Sequence, residues 1–173
     1  MASALNPLRL NVGFLLQQPA GYRRVFAFDE RNLSLAPDFK LPSLTGEAEI
    51  TRTPQGLVVQ SFLQAVLPAE CSRCLTDFHM SAAAQFTELF AFSDRHATES
   101  ELILPEDGHL DLAPLAREFL LLEIPINPIC RTDCAGLCPV CGINLNQESC
   151  EHSRPPLDAR LEVMKSPRPK KPV

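Results

Sequence analysis

The spacing of seven cysteines and one histidine constrains this chain more than any other feature of its sequence. Cys71 and Cys74 stand apart from the rest, with two residues between them. The others form one cluster, Cys130-x3-Cys134-x3-Cys138-x2-Cys141-x8-Cys150-x-His152. Two thiolates separated by two residues can point to one side of a tight turn, where backbone N–H groups hydrogen-bond the sulfurs and stabilise their negative charge. In Cys138-Pro139-Val140-Cys141-Gly142, Pro139 presets the turn. Gly142 supplies a left-handed residue where a side chain would crowd the second sulfur. A thioredoxin-like redox pair would need a βαβ context that the sequence lacks. Seven cysteines at this spacing are not ordinary core filler either.

Eight donors make two complete tetrahedral sites. In one partition Cys71, Cys74, Cys130 and Cys134 form the first site, and Cys138, Cys141, Cys150 and His152 the second. In the other the two x2 pairs share a site, leaving Cys130, Cys134, Cys150 and His152. The first is favoured because each later group is contiguous and its chain closures are short. A single metal with several free cysteines is the fallback. Zinc suits the histidine-containing set; iron is the alternative, since Cys-Pro-x-Cys-Gly also resembles a rubredoxin half-site. Fully ligated zinc keeps no open position for water, so such sites are scaffolding.

The remaining composition fits this reading. The 173 residues suit one domain with a tail, or two small domains, and 45% hydrophobic content with 21% charge is an ordinary globular balance. No export signal or membrane-length apolar run is visible, so the chain is expected in the cytoplasm, where disulfides are rare. The net charge of −5 argues against a surface that embraces nucleic acid as a whole, but not against a local basic patch.

The expected fold class is α+β, mainly antiparallel β-sheet with one principal helix. Strand signals cover Leu8–Leu15 and Tyr22–Asp29, after which Pro37 and Pro42 are expected to break the pattern. Gly46–Thr53 and Leu57–Leu67 read as a hairpin, with Gly56 in its turn at positive φ. From Phe78 to Phe92 the chain alternates, with Phe78, Met80, Ala82, Ala84, Phe86 and Phe90 on one face. Asp111 is the expected N-cap of a helix at about 112–124. There Leu112, Leu115, Ala116, Phe119 and Leu122 recur at helical spacing, and Pro125 ends the helix. This divides the chain into a β domain with packed helix (1–125), a Cys/His metal-binding segment bridged to 71–74 (126–153) and a Pro-rich basic tail (154–173). The tail, with a short helix expected over Leu157–Met164, carries Lys165, Arg168, Lys170 and Lys171, and these are the candidate RNA contacts.

Catalysis has no support in the sequence. There is no Ser-His-Asp order, no phosphate-cradling glycine loop and no convincing acid pair. His79, His96 and His109 read as surface or capping residues, Arg117 and Glu118 as a solvated pair, and Glu106 and Asp107 as loop charges. No small-molecule substrate and no membrane partner are expected.

Three ordered motifs carry a resemblance: Cys71-Ser-Arg-Cys-Leu75, Asp111-Leu-Ala-Pro-Leu-Ala-Arg-Glu118, and Cys130-x3-Cys-Ala-Gly-Leu-Cys-Pro-Val-Cys-Gly142 followed by Asn144-Leu-Asn146. Together they resemble the YceD family, the large ribosomal RNA subunit accumulation proteins of bacteria and chloroplasts, over roughly Leu44 to His152. Members with a full cysteine set usually end in Cys-x-Cys, where this chain has His152. Other members keep counterparts of Cys71, Cys74 and the Cys130/Cys134 region but lack the distal knuckle, which favours the first partition. The resemblance implies a non-catalytic ribosome-biogenesis factor for accumulation or processing of large-subunit (23S) ribosomal RNA, with structural zinc. Its partner would be that RNA or a pre-ribosomal protein. An adaptor that binds a ribosomal protein or a processing nuclease without touching RNA is the competing reading.

Overall fold

The computed structural model describes residues 6–93, 95 and 102–152. The chain divides into two compact units. One comprises Met1–Ser72 with Thr76–Cys130, and the other Arg73–Leu75 with the chain from Arg131 onward. Among the described residues the fold is α+β, mostly antiparallel sheet with one α-helix.

The first unit is built on a four-stranded antiparallel meander, β2 (Arg23–Ala36), β3 (Phe39–Arg52), β4 (Gly56–Glu70) and β5 (Asp77–Ala91), in that spatial order. A second ladder pairs β1 (Arg9–Asn11) with β6 (His109–Asp111), and a 3-10 turn covers Gly13–Gln17. The helix α1 (Ala113–Leu122) contacts β5 and β2, the two outer strands of the meander. Phe86 of β5 stacks on Phe119 of α1, and Leu8, Val12 and Leu15 complete the core with no solvent exposure.

The strand β5 follows the expected alternation, with Ala82, Ala84, Phe86 and Phe90 buried and Ser81, Ala83, Gln85 and Thr87 exposed. β2 and β3 depart from expectation. Pro37 falls between the two strands, and Pro42 does not end β3. Pro37 and Asp38 form the two-residue turn between the strands, and Pro42 lies inside β3. The ladder pairs Arg31 with Ser43 and Leu33 with Leu41, and it skips the position of Asn32 and Pro42. Proline, which has no N–H to donate, is tolerated there. Asn32 adopts a φ of 53°. Both strands change faces at this point: Phe28 and Leu33 are both buried although five residues apart, as are Leu41 and Leu44 although three apart. On a regular strand, same-face residues are separated by even numbers.

Gly56 also corrects the sequence reading. It is not among the positive-φ glycines but opens β4. A Cβ there would collide with the backbone of Phe90 and Ala91 on the paired strand. The glycine is required by close approach, and Gly46 is held against Phe62 and Leu63 in the same way.

The helix is shorter than the sequence suggests, and its N-cap is Leu112 rather than Asp111. Asp111 still serves this end, because its Oδ1 accepts the Ala113 N–H at 2.9 Å. The buried stripe is Ala113, Leu115, Ala116 and Leu120; Leu122 is 72% exposed. Arg117 pairs not with Glu118 but with Asp38 of the β2–β3 turn at 3.0 Å, and its guanidinium lies 5.9 Å from the Phe39 ring centroid. No helix among the described residues is long and apolar enough to cross a membrane.

Candidate metal centre

Cys71 follows directly on β4, and a tight turn over residues 72–74 carries Cys74. The turn is held by the Cys71 N–H donating to Thr76 O at 3.0 Å, and by the Ser72 N–H and hydroxyl both donating to Pro128 O. After Cys74, Leu75 adopts a φ of 54°. The second x2 turn repeats this geometry. Cys138 donates its N–H to Ile143 O at 2.8 Å, the Gly142 N–H returns to Cys138 O at 2.9 Å, and Gly142 has a φ of 74°. The left-handed residue expected after Cys141 is therefore present. A bulkier one occupies the matching place after Cys74.

The eight donors fall into two groups, Cys71, Cys74, Cys130 and Cys134, and Cys138, Cys141, Cys150 and His152. Within each group the ligand atoms all lie within 4.8 Å of one another. This is the grouping of the first partition. None of the seven cysteines is in a disulfide. Four sulfurs about 2.3 Å from a zinc ion would stand roughly 3.8 Å apart, so only a small contraction would close either shell. The first group is mostly buried, whereas in the second Cys141 and His152 are exposed.

Electrostatics in the second group favour thiolate. The backbone N–H groups of Cys141 and then Val140 donate to Cys138 Sγ, and the neighbouring thiols add to this, so its pKa falls from 9.0 to about 6 against the opposing effect of burial. Cys150 moves the other way. The His152 backbone N–H favours its thiolate, but the hydrogen bond from its proton to Cys138, burial and the Cys138 charge together raise its pKa. A Cys138 thiolate beside a Cys150 thiol that resists ionising is an arrangement in which a divalent cation does much, since it supplies positive charge to both sulfurs. Four sulfurs in one group and three sulfurs with an imidazole in the other fit zinc, and two Cys-rich groups can hold metal ions.

Asn146 went unrecognised as part of the site in the sequence. Its Nδ2 donates to Cys134 Sγ at 3.4 Å and to Asn144 Oδ1 at 2.8 Å, while its Oδ1 accepts the Ala135 N–H at 2.8 Å and Arg131 Nη2 at 2.9 Å. The Asn-Leu-Asn spacing was its only signal. Arg73 also supports this region. Its carbonyl accepts the Leu137 N–H, its Nη1 donates to Cys134 O at 3.1 Å, and Gly136 leaves it room where a Cβ would press on the Arg73 carbonyl.

The other singled-out residues lie apart from these groups. His79 is exposed on β5. His109 is on β6, its Nδ1 against the Asp107 carbonyl at 2.9 Å. Asp107 is paired with Arg9 at 2.7 Å, and the His109 N–H followed by Arg9 holds its carboxyl below the usual range. His96, the Leu157–Met164 helix and the basic positions Lys165, Arg168, Lys170 and Lys171 lie outside the described residues.

The sequence profile of the large ribosomal RNA subunit accumulation protein YceD matches residues 59–166, more than half of the chain. The chain belongs to the YceD family. Among its relatives is an uncharacterized protein of Mycobacterium bovis, 33% identical over 106 residues, which cover 59% of this chain and 51% of the relative. Another, from Mycobacterium leprae, is 31% identical over 103 residues, 57% of this chain and 48% of its own. The Arabidopsis thaliana large ribosomal RNA subunit accumulation protein YCED homolog 1, chloroplastic, is 40% identical over 50 residues, 29% of this chain and 16% of the relative. The chain thus spans about half the length of the mycobacterial proteins it matches. No solved structure matches it.

Proposed function

We propose that the chain is a non-catalytic ribosome-biogenesis factor that supports accumulation or processing of large-subunit (23S) ribosomal RNA, and that its two Cys-rich groups hold structural zinc. The observation that carries this reading is the convergence of four donors in each group within a chain of the YceD family. Zinc in the first group would join positions 71 and 74 to 130 and 134, closing a long loop and removing conformational freedom from the unfolded chain. With every coordination position filled by protein, the metal would have no place for substrate water. In this reading residues 126–153 act as the metal-binding segment of a cytoplasmic protein. Residues 154–173 act as a basic tail in which Lys165, Arg168, Lys170 and Lys171 neutralise RNA phosphates.

The adaptor reading, in which the chain binds a ribosomal protein or a processing nuclease, is favoured by the net charge of −5. Crosslinking in cells followed by sequencing of bound RNA separates the two. Enrichment of large-subunit RNA that disappears on deletion of 165–173 is the result expected of direct contact. A co-purifying ribosomal protein without RNA enrichment would establish the adaptor.

A further inference from the structure

Most phenylalanines of the chain serve the core, but Phe92, just past the end of β5, is 36% exposed. Its backbone N–H donates to Gln55 O, and its ring lies 5.7 Å from the Arg52 guanidinium carbon. Arg52 is positioned along its whole length. Its N–H donates to Tyr22 O, its carbonyl accepts the Gly21 N–H, and its Nε donates to Leu16 O at 3.3 Å. Among the described residues its two terminal nitrogens have no hydrogen-bond acceptor. Among the described residues no carboxylate forms an ion pair with Arg52, and none of their cations pairs with Glu106. Leu16, Arg52, Phe92, Leu104, Pro105 and Glu106 enclose a cleft of about 380 Å³, and Tyr22, the sole tyrosine, is exposed beside Arg52.

We propose that this cleft binds a single unstacked nucleotide of RNA, with the base against Phe92 and Leu104, the phosphate on Arg52 and a base N–H donated to Glu106. This rests on the RNA-contact reading above and names a site for it. The charge pattern selects the ligand. A free phosphate or a peptide carboxylate would satisfy Arg52 but leave Glu106 and the apolar wall of Phe92 and Leu104 without a partner. A purely apolar side chain would leave both charges unpaired, at a cost in affinity. A nucleotide carries an anion at one end and N–H donors on the base edge at the other, with a flat apolar face between them. Stacking on an aromatic wall is sequence-tolerant, and the Arg52 guanidinium carbon, 5.7 Å from the centroid of the same ring, adds a cation–π contribution.

The test is titration of the isotopically labelled full chain with nucleoside monophosphates and, separately, with inorganic phosphate, followed by amide NMR shifts. A saturable response at Arg52, Phe92, Leu104 and Glu106 to nucleotides but not to phosphate is expected. Phe92→Ala should weaken it by roughly tenfold to a hundredfold. Phe92→Leu, which keeps an apolar side chain but removes the aromatic ring, should weaken it as well. Glu106→Gln should alter the ranking among the four bases. Equal response to phosphate alone, unchanged affinity in Phe92→Leu, or no saturable shift would overturn the proposal. Binding of an apolar peptide in the cleft with no response to nucleotides would overturn it in favour of a protein partner. Nucleotide shifts without crosslinking to large-subunit RNA would support the cleft and count against the RNA-contact reading. Crosslinking without nucleotide shifts would overturn the cleft and leave that reading intact.

Discussion

Phe86 on β5 and Phe119 on α1 stack with ring centroids 4.8 Å apart and planes inclined by 17°. Phe86 is 4% exposed, and the pair fixes the helix against an outer strand of the four-stranded sheet. Phe86→Ala should cost about 3–5 kcal/mol of unfolding free energy, as expected for an emptied aromatic core position. A double-mutant cycle with Phe119→Ala should give a coupling of about 0.5–1.5 kcal/mol. Urea denaturation monitored by circular dichroism measures both, and additive single-mutant effects would show that the rings merely neighbour each other.

Leu75 and Gly142 occupy matching left-handed positions after the second cysteine of an x2 pair, at φ of 54° and 74°. Only glycine takes such a φ without strain, which costs other residues about 1–2 kcal/mol. Leu75→Gly should leave the metal-loaded protein as stable or slightly more stable, because relief of strain offsets the extra freedom of glycine in the unfolded chain. Gly142→Leu should destabilise it by about 1–2 kcal/mol. Thermal unfolding of the two variants in parallel reads the contrast, and loss of stability in Leu75→Gly would contradict it.

The Cys138 thiol, lowered to about 6 by the Cys141 and Val140 N–H groups, sets a pH dependence for the metal-free protein. A lowered folded-state pKa stabilises the fold in full above the unfolded value of 9.0, and that contribution is lost progressively as the pH falls through about 6. Ultraviolet thiolate absorbance of metal-free protein should show one transition near pH 6 that Cys138→Ser removes. A first transition only at the ordinary thiol pKa would refute the hydrogen-bonding account.

Asn146 donates to Cys134 Sγ while three other groups hold its amide in place. Loss of a partner that orients a ligand typically costs about tenfold to a hundredfold in metal affinity. Asn146→Ala should therefore release metal from the first group to a competing chelator at a correspondingly lower concentration, with the second group unaffected. Equal loss from both groups would point to general unfolding instead.

The parts of the fold that the sequence made legible are those with an uninterrupted period. β5 could be read because its alternation holds from Ala82 to Phe90. β2 and β3 could be read only in part, over Tyr22–Asp29 and Gly46–Thr53, because both strands reverse faces between Arg31 and Leu33 and between Leu41 and Ser43, which breaks the period in each. The β1–β6 ladder has three residues in each strand, too few for a pattern. Gly56 suggested a turn because glycine favours positive φ, yet backbone crowding from Phe90 is what demands it. The cysteine grouping was legible because short chain closures confine which sulfurs can meet. Asn146 was not, since an amide aimed at a sulfur leaves no periodic trace.

Metal content tests the central claim most directly. Protein purified without added metal and analysed by mass spectrometry should carry two equivalents of zinc per chain, one for each group of four donors. Cys138→Ser should lower this by one, and Cys71→Ser should lower it through the other group. Less than about half an equivalent of zinc or iron in correctly folded protein would contradict the account, because four-thiol and three-thiol clusters at this spacing would then be held together without the cation that their charge calls for.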